Sequence, residues 1–161
     1  MKIVIRPIQK QDNLPLAKMI RNVFEEHDAP KFGTVYSDPT TDDLYSLFQT
    51  PKSFLWVAET ENEIAGCCGI YPTPGLNENC TELVKFYLSP NARGKGIGKE
   101  LMEKCIISAK ESGYTQMYLE SLPHFAKAVS MYEKQGFKQI DQPLGNSGHR
   151  TCNIWMVKEL K

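Results

Sequence analysis

Apolar residues along the chain fall either into short extended runs or into longer stretches of helical spacing. Residues 2–7 read as a strand. Leu16, Ala17, Ile20, Val23 and Phe24 then share one helical face, which predicts a helix over residues 12–27 with Asp12 as its N-cap. Residues 28–38 carry Pro30 and Gly33 and read as a loop, and Thr41-Asp42-Asp43 opens a short helix that buries Leu44, Leu47 and Phe48. Residues 53–59 and 63–71 read as two strands of a hairpin around a tight turn at Glu61-Asn62. A Pro- and Gly-bearing loop, 72–79, leads to a run rich in β-branched and aromatic residues, 81–88.

Beyond that run, Ile97, Leu101, Cys105 and Ala109 recur at helical spacing up to Ser112-Gly113. Residues 114–120 form the next strand. A helix opens at Pro123 or His124 and stops before Gly136, and 137–140 is a short strand. A polar loop, 141–150, leads to a last strand over 151–157. The order β-α-α-β-β-β-α-β-α-β-β is α+β, a twisted mixed sheet with helices packed on it. A length of 161 residues suits a single domain, 1–161, with a substantial core.

The densest chemistry lies where the strand 81–88 meets the helix after it. Ser89-Pro90-Asn91 ends the strand, and Arg93-Gly94-Lys95-Gly96-Ile97-Gly98-Lys99 follows. The first turn of a helix has backbone N–H groups without helical partners, and its dipole favours negative charge. Glycines let a ligand approach that backbone without meeting a Cβ, and Arg93, Lys95 and Lys99 add positive charge. The segment is an anion cradle suited to a phosphate or pyrophosphate. It is not a P-loop, because Glu100 follows Gly98-Lys99 where Ser or Thr is required. Nor is it a dinucleotide fingerprint, because Lys99 stands where the third glycine belongs.

What remains, Arg93-x-x-Gly96-x-Gly98 directly after a strand, resembles the coenzyme A pyrophosphate loop of the GNAT N-acetyltransferase superfamily. The segment 128–137, AVSMYEKQGF, resembles the closing helix and strand of the same family. The resemblance extends over roughly residues 2–160, although only these two segments are specific. It implies a three-layer fold with a central mixed sheet of about seven strands and about four flanking helices. The sheet would be splayed between its fourth and fifth strands, here 81–88 and 114–120, with acetyl-CoA wedged in the gap. Phe86, Tyr87 and Leu88 would contact the cofactor arm through their backbone, and Arg93, Gly94, Lys95, Gly96, Ile97, Gly98 and Lys99 would hold the pyrophosphate. One departure concerns the arm: where many members carry an Asn, this chain has Phe125.

The implied reaction is acetyl transfer to a primary amine, on a small molecule or a peptide, by direct attack in a ternary complex. An amine of pKa near 10 must first lose a proton. Tyr132, in the place of the family's Tyr near the thioester, is the expected acid for the leaving thiolate; the alternative is a packed, structural Tyr. Glu82 matches the strand carboxylate that some members use as base. Simple alternation puts Glu82, Val84, Phe86 and Leu88 on one face of the strand and Leu83, Lys85 and Tyr87 on the other. Burial on an apolar face would raise the pKa of Glu82. Glu120 is a second candidate base, and Asn146, Ser147 and His149 are candidate acceptor contacts from the 141–150 loop.

Charge changes little in this picture. Lys plus Arg and Asp plus Glu are 19 each, so nothing global steers the chain to nucleic acid or a membrane. No apolar run approaches a membrane span, and the N-terminal MKIVIRP lacks the apolar core of a signal peptide. Five cysteines without CxxC spacing read as free thiols of a reducing cytoplasm, and no metal site is expected. Two other functions stay open: a non-catalytic acyl-CoA-binding sensor or partner-binding module, and thiol chemistry at Cys67-Cys68. The resemblance also allows a homodimer through an edge strand.

Overall fold

The computed structural model describes residues 2–61 and 63–161. Its strands are β1 (Ile3–Pro7), β2 (Phe54–Thr60), β3 (Glu63–Tyr71), β4 (Cys80–Leu88), β5 (Gln116–Ser121), β6 (Lys138–Ile140) and β7 (Ile154–Glu159). The helices are α1 (Asn13–Glu26), α2 (Leu44–Leu47), α3 (Ile97–Glu111) and α4 (Ala126–Lys134). The strands form one seven-stranded sheet in the order β1-β2-β3-β4-β5-β7-β6. Every neighbouring pair is antiparallel except β4 and β5, which run parallel. No helix among the described residues is long and apolar enough to cross a membrane.

The expected element order holds, with local differences. The last strand starts at Ile154 rather than at Thr151, because residues 151–153 finish the preceding loop. Asp12 does not cap α1 through its side chain. Its carboxylate instead accepts the Gln9 N–H at 2.7 Å and a bidentate pair of bonds from Arg6 at 2.8 and 3.0 Å. Asp43 does cap α2, accepting the Ser46 N–H. At the β2–β3 turn Glu61 takes a left-handed φ of 49°, while Asn62 lies outside the described residues.

Apolar cores cover both faces of the sheet. Leu101, Met102, Cys105 and Ala109 of α3 pack on Ala58, Cys68, Ile70, Met117 and Leu119. Leu16, Ile20, Val23 and Phe24 of α1 pack on the other face with Leu44, Phe48, Leu55, Val57 and Cys67. Cys67 and Cys68 thus belong to opposite cores, as expected for successive strand residues. All five cysteines are free thiols.

The simple alternation expected along β4 fails at Lys85. That residue has a φ of 56°, and the β3–β4 register slips there, with Val84 opposite Gly69 but Tyr87 opposite Cys67. The result is a β-bulge. Leu83, Phe86 and Leu88 consequently share the α3 face, whereas Val84 and Tyr87 face α1. The Cys67 thiol donates to the Lys85 carbonyl at 3.0 Å, so the carbonyl displaced by the bulge still has a donor.

Candidate active site

β4 and β5 pair only at Cys80–Gln116, Thr81–Met117 and Glu82–Tyr118. Beyond Glu82 they separate, and a cleft of about 730 Å³ opens between them. Its walls are β4 from Glu82 to Leu88, the end of β5, the cradle before α3, the start of α4, and Val23, Phe24 and His27 at the end of α1. The volume lies within the range of small-molecule and cofactor sites.

At one end the cradle supplies an open backbone. Gly94 and Gly96 have φ of 75° and 81°, and a Cβ built on either would meet no atom within 4 Å. Gly96 is the N-cap of α3, so the unpaired N–H groups of the first turn follow it directly. Gly98 is constrained differently: a Cβ there would come within 2.8 Å of the Met131 methyl and 3.0 Å of the Phe86 ring, so a larger residue would have to displace the side chains packed between α3, α4 and β4. The Arg93 guanidinium donates twice to Glu26 at the end of α1, and once to the Leu88 carbonyl at 3.0 Å. This hydrogen bonding holds the Glu26 carboxyl below its ordinary pKa. Arg93 therefore ties the cradle to α1 and, with Lys99, stands beside the glycines in the cleft wall.

Midway along the cleft, Tyr132 of α4 is only 7% exposed. Its ring lies between Phe86 and Phe137, at centroid distances of 5.8 and 6.0 Å. Among the described residues its hydroxyl has no hydrogen-bond partner, and it is not sealed off from the cleft. Burial pushes the phenol well above its ordinary pKa, so it holds its proton at neutral pH. Phe125 packs edge-on against Phe24 at 5.2 Å and His27 at 5.4 Å, closing the α1 side of the cleft.

The far end is polar and charged. Glu82 is 4% exposed and accepts a 2.6 Å hydrogen bond from the Thr73 hydroxyl. Burial is the main cause that raises its pKa to about 7; the Thr73 bond opposes this, Glu120 adds to it, and Lys85 opposes it. Glu120 accepts from the Tyr118 hydroxyl at 2.7 Å and the Ser147 hydroxyl at 2.5 Å. His149 Nε2 lies 2.9 Å from Asp38 Oδ2. Burial raises the Asp38 pKa, but hydrogen bonds from His149 and Thr40 outweigh it and keep the carboxyl below its ordinary value.

Of the residues singled out in the sequence, the cleft wall gathers Glu82, Phe86, Tyr87, Leu88, Arg93, Gly94, Gly96, Ile97, Gly98, Lys99, Glu120, Tyr132 and His149. Ser147 stands behind the wall, donating its hydroxyl to Glu120 at 2.5 Å and accepting the His149 N–H at 3.1 Å. Asn146 is exposed and anchors the loop by donating its N–H to the Pro74 carbonyl at 2.7 Å. Lys95 is not part of the wall. Lys85, Asp38, Thr73 and Cys152 were not anticipated. Lys85 was hidden by the bulge; the other three lie in loops whose approach to β4 no local pattern encodes. Cys152 lines the cleft, where burial, with Glu120 and Glu82, pushes its thiol up to about 12.

The sheet is thus splayed between parallel strands, with a glycine-rich helix start at the mouth of the cleft and the carboxyls of Glu82 and Glu120 at its far end. The "Acetyltransferase (GNAT) family" profile matches residues 20–137. N-acetyltransferase YjgM of Escherichia coli K12, itself uncharacterized, is 39% identical over 159 residues, covering 98% of this chain and 95% of its own. A GNAT-family acetyltransferase from Staphylococcus aureus Mu50 superposes with a TM-score of 0.85 at 22% identity, covering 99% of this chain and 100% of its own. The structure of yncA from Salmonella typhimurium, solved with its cofactor acetyl-CoA, gives a TM-score of 0.77 at 19% identity, covering 100% of this chain and 95% of its own. The chain belongs to the GNAT acetyltransferase family.

Proposed function

We propose that the protein transfers the acetyl group of acetyl-CoA to a primary amine by direct attack within a ternary complex. The observation that carries this reading is the continuity of one cleft from the open cradle at Gly94 and Gly96, past Tyr132, to Glu82. The fit to the cofactor is chemical as well as spatial. Coenzyme A would place its pyrophosphate on the N–H groups that follow Gly96 and beside Lys99, and its arm along the unpaired edge of β4. That the yncA structure holds acetyl-CoA supports the assignment. Acetyl-CoA supplies the activated thioester; the protein supplies proton transfer and position.

Glu82 takes the proton of the acceptor ammonium, directly or through a water. A carboxyl with a pKa of about 7 is well matched to that task near neutral pH. Tyr132, protonated, donates to the departing thiolate. Cys152 is not needed as an acyl carrier, because its raised pKa leaves it a poor nucleophile at neutral pH. The five free thiols agree with a reducing, cytoplasmic setting.

A thermal-shift titration with acetyl-CoA, with AMP as control, tests the cofactor directly. Ligand at 100 times its Kd contributes about 2.7 kcal/mol, or roughly 5–10 °C at this chain length. A shift with acetyl-CoA and none with AMP is expected; no shift at millimolar acetyl-CoA removes the reading. Replacement of Tyr132 by Phe is expected to lower kcat at least tenfold while acetyl-CoA still binds. The Phe ring preserves the packing on Phe86 and Phe137, so unchanged turnover would take the hydroxyl out of the mechanism.

A further inference from the structure

The reaction scheme above makes no use of Lys85. It is 7% exposed, yet it lies in the cleft wall. Among the described residues its Nζ makes no hydrogen bond and no ion pair within 4.0 Å, and it is not fully sealed from the cleft. Burying an ammonium without a partner is costly. The backbone at Lys85 is also strained, since φ is 56° inside a strand. The other non-glycine residues with positive φ, Asp28, Lys52 and Glu61, sit in turns, where such geometry is common. Lys85 thus combines two local costs at one point of the cleft.

The surroundings indicate what would offset them. Burial lowers the Lys85 pKa below its ordinary value, and the groups that oppose this and favour its charge are Asp38 and Glu82, with the thiols Cys67 and Cys152 beside it. Asp38 is engaged with His149, and Glu82 with Thr73. Glu120, its two oxygens taken by Tyr118 and Ser147, adds a further carboxylate to the same end. The pocket therefore offers carboxylates for an ammonium and one unpaired ammonium for an anion. A dianion such as a phosphate would face a shell in which carboxylates outnumber lysines. A single carboxylate on the acceptor itself matches the shell in both sign and number.

We infer that Lys85 is the anchor for a carboxylate of the acceptor, and that the acceptor is a small amino acid, with amine and carboxylate on one short frame. The inference rests on the acetyltransferase reading for the use of the amine, but binding of the carboxylate does not. A site built around a buried charged donor discriminates strongly against a ligand that leaves the donor unpaired.

The test is a calorimetric titration of amino acids against their own carboxamides. The probes are the proteinogenic α-amino acids, β-alanine and 4-aminobutyrate, each with its carboxamide, run with and without coenzyme A. At least one amino acid is expected to bind ten or more times more tightly than its carboxamide. Lys85→Met and Lys85→Gln are expected to bring that ratio close to one, and Lys85→Arg to preserve most of it. Equal affinities within every pair, no binding by any amino acid, or a preference that survives in Lys85→Met would each overturn the inference. If the variants fail to fold, a wild-type ratio of one still overturns it. Failure of the acetyltransferase reading shows separately, as absent coenzyme A binding or as binding of an amino acid without acetylation.

Discussion

Replacing Gly96 with Glu is expected to abolish acetyl-CoA binding while leaving the protein folded. Gly96 has a φ of 81° at the N-cap of α3, and the space where its Cβ would stand is empty of protein atoms. That space is where a pyrophosphate must come to reach the N–H groups of the first helical turn. A Glu side chain would fill it and place a negative charge at the positive end of the helix, opposing an anionic ligand. The left-handed backbone adds strain of about 1–2 kcal/mol, which the apolar packing of Leu101, Met102 and Cys105 can absorb. Gly96→Ala carries the same strain without charge or length and should lose affinity only partly. Calorimetry with acetyl-CoA on both variants separates these effects. Wild-type affinity in Gly96→Glu would refute the cradle assignment.

Replacing Glu82 with Gln is expected to lower kcat by about a hundredfold or more, the usual scale for a general base. It should also remove the acid limb of the rate profile. In the wild type kcat/KM should rise with pH around 7, as the Glu82 carboxyl ionises. The stability effect has the opposite direction. Raised from 4.5 to about 7, the carboxyl binds its proton more tightly in the folded than in the unfolded chain. Folding stability is therefore favoured at low pH, falls as pH rises between the two values, and levels off above 7. The loss is about 3 kcal/mol on the scale of 1.36 kcal/mol per unit. Gln retains the acceptor for Thr73 without the charge, so Glu82→Gln should melt several degrees higher than the wild type at pH 8 and close to it at pH 5. A variant that is both more stable and inactive marks Glu82 as kept for chemistry. Full activity with an unchanged pH profile would remove it as the base.

Much of this molecule was legible before folding. Hydrophobic spacing located α1 and α3 because each buries one continuous stripe, and a stripe is a local property of the sequence. The cradle was legible because glycines, cations and a helix start are adjacent in the chain. Glu82 and Tyr132 came from the family resemblance and Glu120 from a strand end, and the fold brings all of them into one cleft.

The misread parts share one cause, which is dependence on partners distant in sequence. Alternation assigned Phe86 and Leu88 to the wrong face because the bulge at Lys85 is fixed by the register of β4 against β3, where the carbonyl of Lys85 meets the thiol of Cys67. Asp12 reads as a helix cap until Arg6, on the neighbouring strand, takes its carboxylate. The pairing of Arg93 with Glu26 on α1 was equally invisible in the sequence. The sequence by itself determined the order of elements, the anion cradle and the family, each written in residues close together along the chain. Only the tertiary structure decided which way β4 turns its side chains, how far Glu82 is removed from water, and that Lys85 stands unpaired in the cleft. Burial and charge pairing are properties of the assembled neighbourhood, and Asp38, Thr73, Glu120 and His149 come to it from separate loops and strands.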